Sequence, residues 1–406
     1  MRIAFVSREY AGVGSGGGIG TYVRNAARML AARGHDVEVF TEGQPETAWS
    51  EPGLKINVVD RQTERFADAV VPQFAAAHRT KPFDVVETAE YGADAALVFE
   101  KFPEVARVVK LHTAGFQLAV MNEAYLTLGT KLRFIAGGLR RGRILARFWN
   151  RYDASQDTEL AMTLRADEIA SPSRAMLEWT REAWPISTVR QAIIPNVFEP
   201  SSDLLACDTA GRGKLVAFVG KLEARKGVLE LALAIPMILE AHPDARFRFI
   251  GRPLPHPATK QPLDEAIRQL AGPAAAASIE FTGALAYVDV ARHLTESSIA
   301  VFPSYWENHP YACLEAMVAG CAVVGSQAGG MAEMMVEGDT GLLVPPKDPS
   351  AIAAAVIQLL DDASGSMAMA SRGRAAVVRA FSNDAIGPLQ EASYRRAILR
   401  VKLRSA

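Results

Sequence analysis

Seven residues separate Glu307 from Glu315 in FPSYWENHPYACLEAMVAGCAVVGS, residues 302–326. An apolar run ends near Pro303 and Ser304. Asn308 reads as the N-cap of the helix that follows and Pro310 as a first-turn residue. That places Glu307 in a loop and Glu315 two turns into a helix. With 1.5 Å of rise per residue, their backbones would stand roughly 12 Å apart if both were helical. A pair of glycosidase carboxylates needs only about 5–10 Å between carboxyls. The wider spacing suits two carboxylates that grip hydroxyls at opposite ends of a long ligand, with a diphosphate between them at the helix N-terminus.

Two further stretches suit phosphate. In FVGKLEARKG, residues 218–227, Lys221 and Lys226 follow a strand-like run and precede a helical pattern. Two cations beside a helix N-terminus match a diphosphate, although two loop lysines alone are as readily just solvated. In AGVGSGGGIGTY, residues 11–22, six of the nine residues 12–20 are glycine. Such a loop allows close backbone approach, and the helix behind it offers free N–H groups to an anion. Gly12-x-Gly14-x-x-Gly17 also fits a dinucleotide fingerprint, with Asp36 and Glu38 following on the next strand. The turn is looser than that fingerprint requires. A nicotinamide-dependent oxidoreductase therefore stays open as an alternative, as does a catalytically silent binding protein.

The elements that must position these residues follow from hydrophobic periodicity. Continuous apolar runs at Ile3–Ser7, Asp36–Thr41, Ile56–Asp60, Asp84–Thr88, Val108–Thr113 and Ile169–Pro172 alternate with helical patterns. One such pattern, Gly20–Arg33, ends at Gly34. Continuous rather than alternating runs indicate strands buried on both faces of a parallel sheet. Residues 195–213 hold Pro, Ser, Asp and Gly without clear period and read as a linker. The pattern then restarts at Leu215–Gly220, Phe247–Gly251, Ile279–Gly283, Ile299–Pro303, Ala322–Gly325 and Leu342–Val344. The expected fold is α/β, with two doubly wound Rossmann-like domains facing an inter-domain cleft.

Composition narrows the class. Forty-four Lys and Arg against 45 Asp and Glu give a net charge of −1, which argues against a generally basic nucleic-acid binder. Cys207, Cys313 and Cys321 are an odd number without C-x-x-C spacing. They fit a reducing cytoplasm and offer neither a disulfide scaffold nor a zinc site. The N-terminus lacks a signal-peptide core, and the uncharged stretch 316–332 is broken by four glycines, Ser326 and Gln327. One local imbalance stands out. Residues 131–151 carry Lys131, Arg133, Arg140, Arg141, Arg143, Arg147 and Arg151 without an acid, beside Ile144, Leu145, Phe148 and Trp149. The C-terminal YRRAILRVKLRSA adds five more cations. A basic amphipathic segment of this kind suits an anionic membrane surface or an anionic acceptor, which would set the protein at the inner face of a membrane.

Taken in order along the chain, these motifs resemble the family-4 retaining glycosyltransferases with the two-domain GT-B fold. The resemblance spans nearly the whole sequence. It includes GGGIGTYVRNAARMLAARGHDVEVFT, LHTAG at 111–115, SPSRAM at 171–176, IPNVF at 194–198, GKLEARKG, the E-x7-E segment with its LEAM, and GGMAEMMVEGDTGLLVPP at 329–346. It implies an acceptor-side domain over 1–198, a nucleotide-sugar-binding domain over 199–384, and a final helix, about 385–406, that packs back on the first. It also implies roles. Glu315, with Asn308 and Leu314 nearby, would hold the ribose of a nucleotide-diphospho-sugar, and Glu307 the transferred sugar. Lys221 and Lys226 would neutralise the departing diphosphate. Gly17 and Gly18 would close on the phosphates. His112 would touch the donor sugar near its reacting carbon. Arg252 and Leu285 would line the base pocket, with UDP favoured over GDP. The catalytic set is then His112, Lys221, Lys226 and Glu307.

The implied reaction is hexosyl transfer to a hydroxyl of a glycan, a lipid-linked glycan or a small molecule, with no cofactor. No D-x-D pair occurs, consistent with a metal-independent, front-face retaining mechanism. Two departures from the family pattern matter. Lys221 stands where Arg is more frequent, keeping charge but losing the bidentate fork. Asn308-His309-Pro310 replaces a frequent Gly-aromatic-Gly, and Pro310 removes one N–H donor.

Overall fold

A computed structural model of the chain describes residues 1–13, 17–43, 51–60, 65–123, 127–142, 153–207, 209 and 211–405. The chain divides into two compact units. The first comprises Met1–Leu118, Tyr152–Glu199 and Phe381–Ala406; the second comprises Ala119–Arg151 and Pro200–Ala380.

In the first unit the β-branched runs form β1 (Arg2–Val6), β2 (Asp36–Gly43), β3 (Leu54–Asp60), β4 (Val85–Ala89), β5 (Ala106–Lys110), β6 (Glu168–Ser171) and β7 (Gln191–Ile193). They pair in parallel in the order β3-β2-β1-β4-β5-β6-β7. Every residue of β1, β4, β5 and β6 is buried, as continuous apolar runs require. The edge strand β7 has no counterpart in the periodicity reading. It is three residues long and only half-buried, so it lacks an apolar run.

The helix Gly18–Ala32 follows β1. It ends where Gly34, at φ +84°, donates its N–H to the Ala31 carbonyl at 2.9 Å. The helix Asn383–Ser405 belongs to this unit although it comes last in sequence. Arg396 donates to the fully buried Glu168 at 2.5 and 2.8 Å, Arg400 donates to the same carboxylate, and Arg404 pairs with Asp167 at 2.7 Å. Arg395 reaches Glu391 at 3.1 Å. Four of the five C-terminal cations are thus bound within the chain. They do not form the free basic face that the sequence suggested.

The second unit holds β8 (Leu215–Val219), β9 (Arg246–Ile250), β10 (Ile279–Gly283), β11 (Ile299–Phe302), β12 (Ala322–Ser326) and β13 (Leu342–Val344). Their parallel order is β10-β9-β8-β11-β12-β13. Phe218, Phe247 and Phe249 on the strands pack with Ile235, Ile238 and Val356 from helices. In both units β1 or β8 sits mid-sheet, beside a strand where the winding reverses. Such a switch point opens a crevice at the carboxyl ends of the strands.

The linker reading needs one change. Ser202–Leu205 is a short helix, capped by Ser201, whose hydroxyl accepts from the Leu204 N–H. Four residues are too few to register as a period. Within 131–151, residues 131–142 are described; Arg143, Ile144, Leu145, Arg147, Phe148, Trp149 and Arg151 lie outside the described residues. No helix among the described residues is long and apolar enough to cross a membrane.

Candidate functional site

In the second unit the chemistry gathers where β8 and β11 end. Beyond β8, residues 224–226 form a 3-10 turn, and the helix Val228–Ala241 begins after Gly227. Gly227 has φ +72°, and a Cβ there would stand 2.0 Å from the Pro303 carbonyl oxygen. Only glycine lets this turn lie against the end of β11. The turn directs Lys226 at Glu307, Nζ to Oε1, at 3.1 Å. Arg225 Nη1 stands 3.7 Å from the same oxygen, and the Ser304 hydroxyl donates to it at 3.5 Å.

The Glu307 main chain is fixed from the other side. Its carbonyl accepts the Gly330 N–H at 2.8 Å. Gly329 adopts φ +76°, and a Cβ there would meet the Glu307 carbonyl oxygen at 2.2 Å. Tyr305 adds two ties: its N–H donates to the Arg225 carbonyl at 2.8 Å and its hydroxyl to Glu230 at 2.5 Å. The result is a carboxylate with 15% side-chain exposure, held in one place. Burial pushes its pKa up, but the charges of Lys226 and Arg225 outweigh burial, so Glu307 titrates below the ordinary carboxylate range.

The other expected donor residues fall as follows. Lys221 is exposed, and no carboxylate among the described residues pairs with it. Its loop is tied to that of Arg252, also exposed, because the Leu222 N–H donates to the Arg252 carbonyl at 3.0 Å. Leu285 is half-buried in the loop after β10. Asn308 is buried but is not an N-cap. The helix runs Tyr311–Val318 and starts from Pro310, at φ −74° and ψ 117°. His309 precedes proline and is disfavoured from helical geometry, so the helix cannot begin there. Glu315 consequently lies at the fifth helical residue, little more than one turn in, and is buried. Leu314 has no exposed surface.

In the first unit His112 follows β5. Its N–H donates to both oxygens of Glu90, each at 2.8 Å, and its ring meets Tyr22 edge-on at 5.1 Å. Glu90 has no exposed surface, and burial pushes its pKa up to about 8, against the opposing pull of the His112 N–H. Glu159 supports the same loops. It accepts from the Gly92 N–H at 2.8 Å and the Gly115 N–H at 2.7 Å. Behind them, Tyr22 donates to the buried Glu87 at 2.6 Å and lies 5.0 Å beneath the Lys110 ammonium. Lys110 donates to the Ile194 carbonyl, and burial lowers its pKa to about 7. Gly17 is the N-cap and Gly18 the first residue of the Gly18–Ala32 helix, whose first turn holds no acid. Gly14–Gly16 lie outside the described residues.

Sequence reasoning missed Arg225, Glu90, Glu159 and Tyr22. Glu87 and Lys110 carried a signal: each is a charged residue inside a run that otherwise reads as continuous core. The dinucleotide alternative fails at both its acidic residues: Asp36 opens β2 instead of closing it and is bonded to Lys81 at 2.5 Å. Glu38 is 2% exposed and accepts from Arg2 at 2.7 Å, Lys55 at 2.6 Å and Asn57 at 2.8 Å, which leaves it unable to receive a ribose.

Comparison with known proteins gives a consistent answer. Residues 17–197 match the family described as glycosyl transferase 4-like domain, and residues 213–362 match glycosyl transferases group 1. The chain is 26% identical to the glycogen synthase of Mycobacterium tuberculosis (strain CDC 1551 / Oshkosh), over 92% of this chain and 89% of that one. Among solved structures it resembles a sucrose-phosphate synthase from Thermosynechococcus elongatus, with TM-score 0.73 at 22% identity, covering 98% and 99% of the two chains. It also resembles Anabaena Alr3699/HepE in complex with UDP-glucose, with TM-score 0.66 at 17% identity over 100% of both chains. The chain therefore belongs to the group 1, family-4 glycosyltransferases of GT-B fold, enzymes that transfer a sugar from a nucleotide sugar.

Proposed function

We propose that the enzyme is a retaining hexosyltransferase that uses a UDP-sugar and transfers its sugar to a hydroxyl of a glycan, a lipid-linked glycan or a small molecule. The observation that carries this reading is the Lys226–Glu307 pair, half-buried and held by two glycine contacts at the carboxyl end of a parallel sheet. Breaking a sugar–diphosphate bond builds negative charge on the β-phosphate and positive character at the anomeric carbon. A cation fixed beforehand stabilises the first without reorganising. Lys226 with Lys221 takes the diphosphate, and Arg225, paired with Glu223 at 2.6 Å, stands beside Lys226 in the same turn. Glu307, ionised across the neutral range, accepts hydroxyls of the transferred sugar. Glu315 takes the ribose, and Asn308 and Leu314 support it from beside it. Arg252 and Leu285 flank the base.

The roles of Gly17, Gly18 and His112 rest on the family resemblance, with Glu90 fixing the His112 main chain. The acceptor hydroxyl attacks on the face that the diphosphate leaves, and the departing phosphate takes its proton. That route gives retention without an enzyme nucleophile. The preference for UDP rests on the resemblance and on the UDP-glucose bound by HepE. Three free cysteines suit a reducing, cytoplasmic setting.

The test is a panel of UDP-, GDP- and ADP-sugars, scored by hydrolysis and then by transfer to acceptors. NMR reads the anomeric configuration of the product. UDP-sugars should react and the product should keep the donor configuration. An inverted product, or Glu315→Ala with unchanged donor affinity, would overturn the assignment.

A further inference from the structure

The helix Leu128–Leu139 buries only Gly138. Its large apolar side chains face solvent: Leu128 is 78% exposed, Leu132 64%, Ile135 38% and Leu139 63%. At 3.6 residues per turn, these four positions fall within a stripe of about 60°. Exposed Arg140 and Arg133 stand about 80° and 100° beyond one edge of the stripe and Lys131 about 40° beyond the other; residues 127–142 contain no acid. The hydroxyl of Thr127 caps the helix by accepting from the Thr130 N–H.

Helices of about twelve residues are marginal alone in water, and Gly129, Gly137 and Gly138 weaken this one further. Helices in proteins are ordinarily sustained by burying an amphipathic face. Here the apolar face is the one turned outward, and the described residues leave it largely uncovered. The charge pattern decides the partner. Cations on both sides of a leucine stripe suit a surface that is apolar below and anionic above, where arginine stems lie along the acyl chains and their heads reach phosphate.

We propose that this helix docks the enzyme on an anionic bilayer, with Leu128, Leu132, Ile135 and Leu139 in the acyl boundary and Arg133 and Arg140 at the lipid phosphates. This places the anchoring apolar residues N-terminal to Ile144, Leu145, Phe148 and Trp149, which the sequence pattern favoured. The C-terminal helix takes no part, because most of its cations are held by Glu168, Asp167 and Glu391. The inference is independent of the donor chemistry.

Flotation of the full-length protein tests it, with vesicles of phosphatidylcholine alone or mixed equally with phosphatidylglycerol. The protein should float with the anionic vesicles at low salt, less so as salt rises, and hardly at all with the neutral ones. Leu132→Glu/Leu139→Glu should weaken vesicle binding about tenfold or more while leaving the melting temperature and UDP binding unchanged. Arg133→Glu/Arg140→Glu should abolish the preference for anionic lipid. Wild type that ignores anionic vesicles at low salt would overturn the proposal, as would a leucine double variant that floats as well as wild type. So would light scattering showing a wild-type dimer that the same variant dissociates, since a second copy would then be what covers the stripe. Loss of UDP binding in the wild type would count against the donor assignment and not against this one.

Discussion

Glu90 in the first unit, with no exposed surface, and Glu307 in the second, half-buried, are both carboxylates at the ends of parallel strands, yet their pKa values move in opposite directions. Glu90 meets a main-chain N–H, with Glu159 as its charged neighbour, and burial carries its pKa up to about 8. Glu307 meets Lys226 and Arg225, which hold it below the ordinary range despite burial. The first is chiefly a neutral acid at pH 7 and the second an anion. Burial sets the penalty for charge, and the presence of a cation decides whether the charge survives it. A neutral acid can brace a loop; an ion pair fixed in place can act on the charges of a reaction.

Removing the cation is the sharpest way to break this contrast. Lys226→Ala should lower kcat by about 10²–10³-fold, because a preorganised charge is lost where negative charge develops. It should also move the acidic limb of the pH–rate profile upward, as Glu307 begins to titrate like Glu90. An unchanged acidic limb would separate Glu307 from Lys226 and sink the pairing argument.

The next effect concerns placement. Gly329→Ala forces a side chain into φ +76° and against the Glu307 carbonyl oxygen. It should cost about 2–3 kcal/mol in denaturant-induced unfolding, with activity falling alongside.

Glu90→Gln probes the other carboxyl. Its folded pKa of about 8 lies above the ordinary value of 4.5. The stability it contributes is therefore complete below about pH 4.5 and is lost as pH rises toward 8, at about 1.4 kcal/mol per unit. The amide does not titrate, so urea unfolding at pH 5, 6 and 7 should show a shallower loss of stability in the variant. Lys110, lowered from 10.5 to about 7, acts with opposite sign above pH 7, where stability gains as pH rises, so this range keeps clear of it. Identical slopes in variant and wild type would mean that Glu90 is already ionised.

The smallest effect belongs to Lys221→Ala. An exposed lysine without a carboxylate partner among the described residues should change KM for the nucleotide sugar by about three- to tenfold and leave melting almost untouched.

The strands were legible because parallel sheets demand continuous apolar runs, and twelve such runs lie on strands of the two sheets. Edge strand β7 was not, since Gln191–Ile193 is half-exposed and has no run to read. Glu307, Lys226 and Glu315 stood out through spacing. Arg225 did not, because only the 3-10 turn at 224–226 turns it toward Glu307. The Asn308 cap was misread because residue type outranked the constraint that Pro310 places on His309. Glu90 has no periodic signature at all; its partner is a main-chain N–H 22 residues away. The leucine stripe eluded the pattern because periodicity marks an apolar face without saying whether protein covers it.

The ties between the Asn383–Ser405 helix and the first unit bear on how the chain is made. Arg400 meets Glu168 across 232 residues of sequence. During synthesis β1 to β7 leave the ribosome well before that helix, and Pro200–Ala380 is translated in between. Domains ordinarily fold in the order of their translation. Here Glu168, with no exposed surface in the finished protein, waits for its arginines until the second unit is complete. The later-made unit can consequently reach its native state first, and in a nascent chain stalled before residue 383 Glu168 would lack its arginine partners.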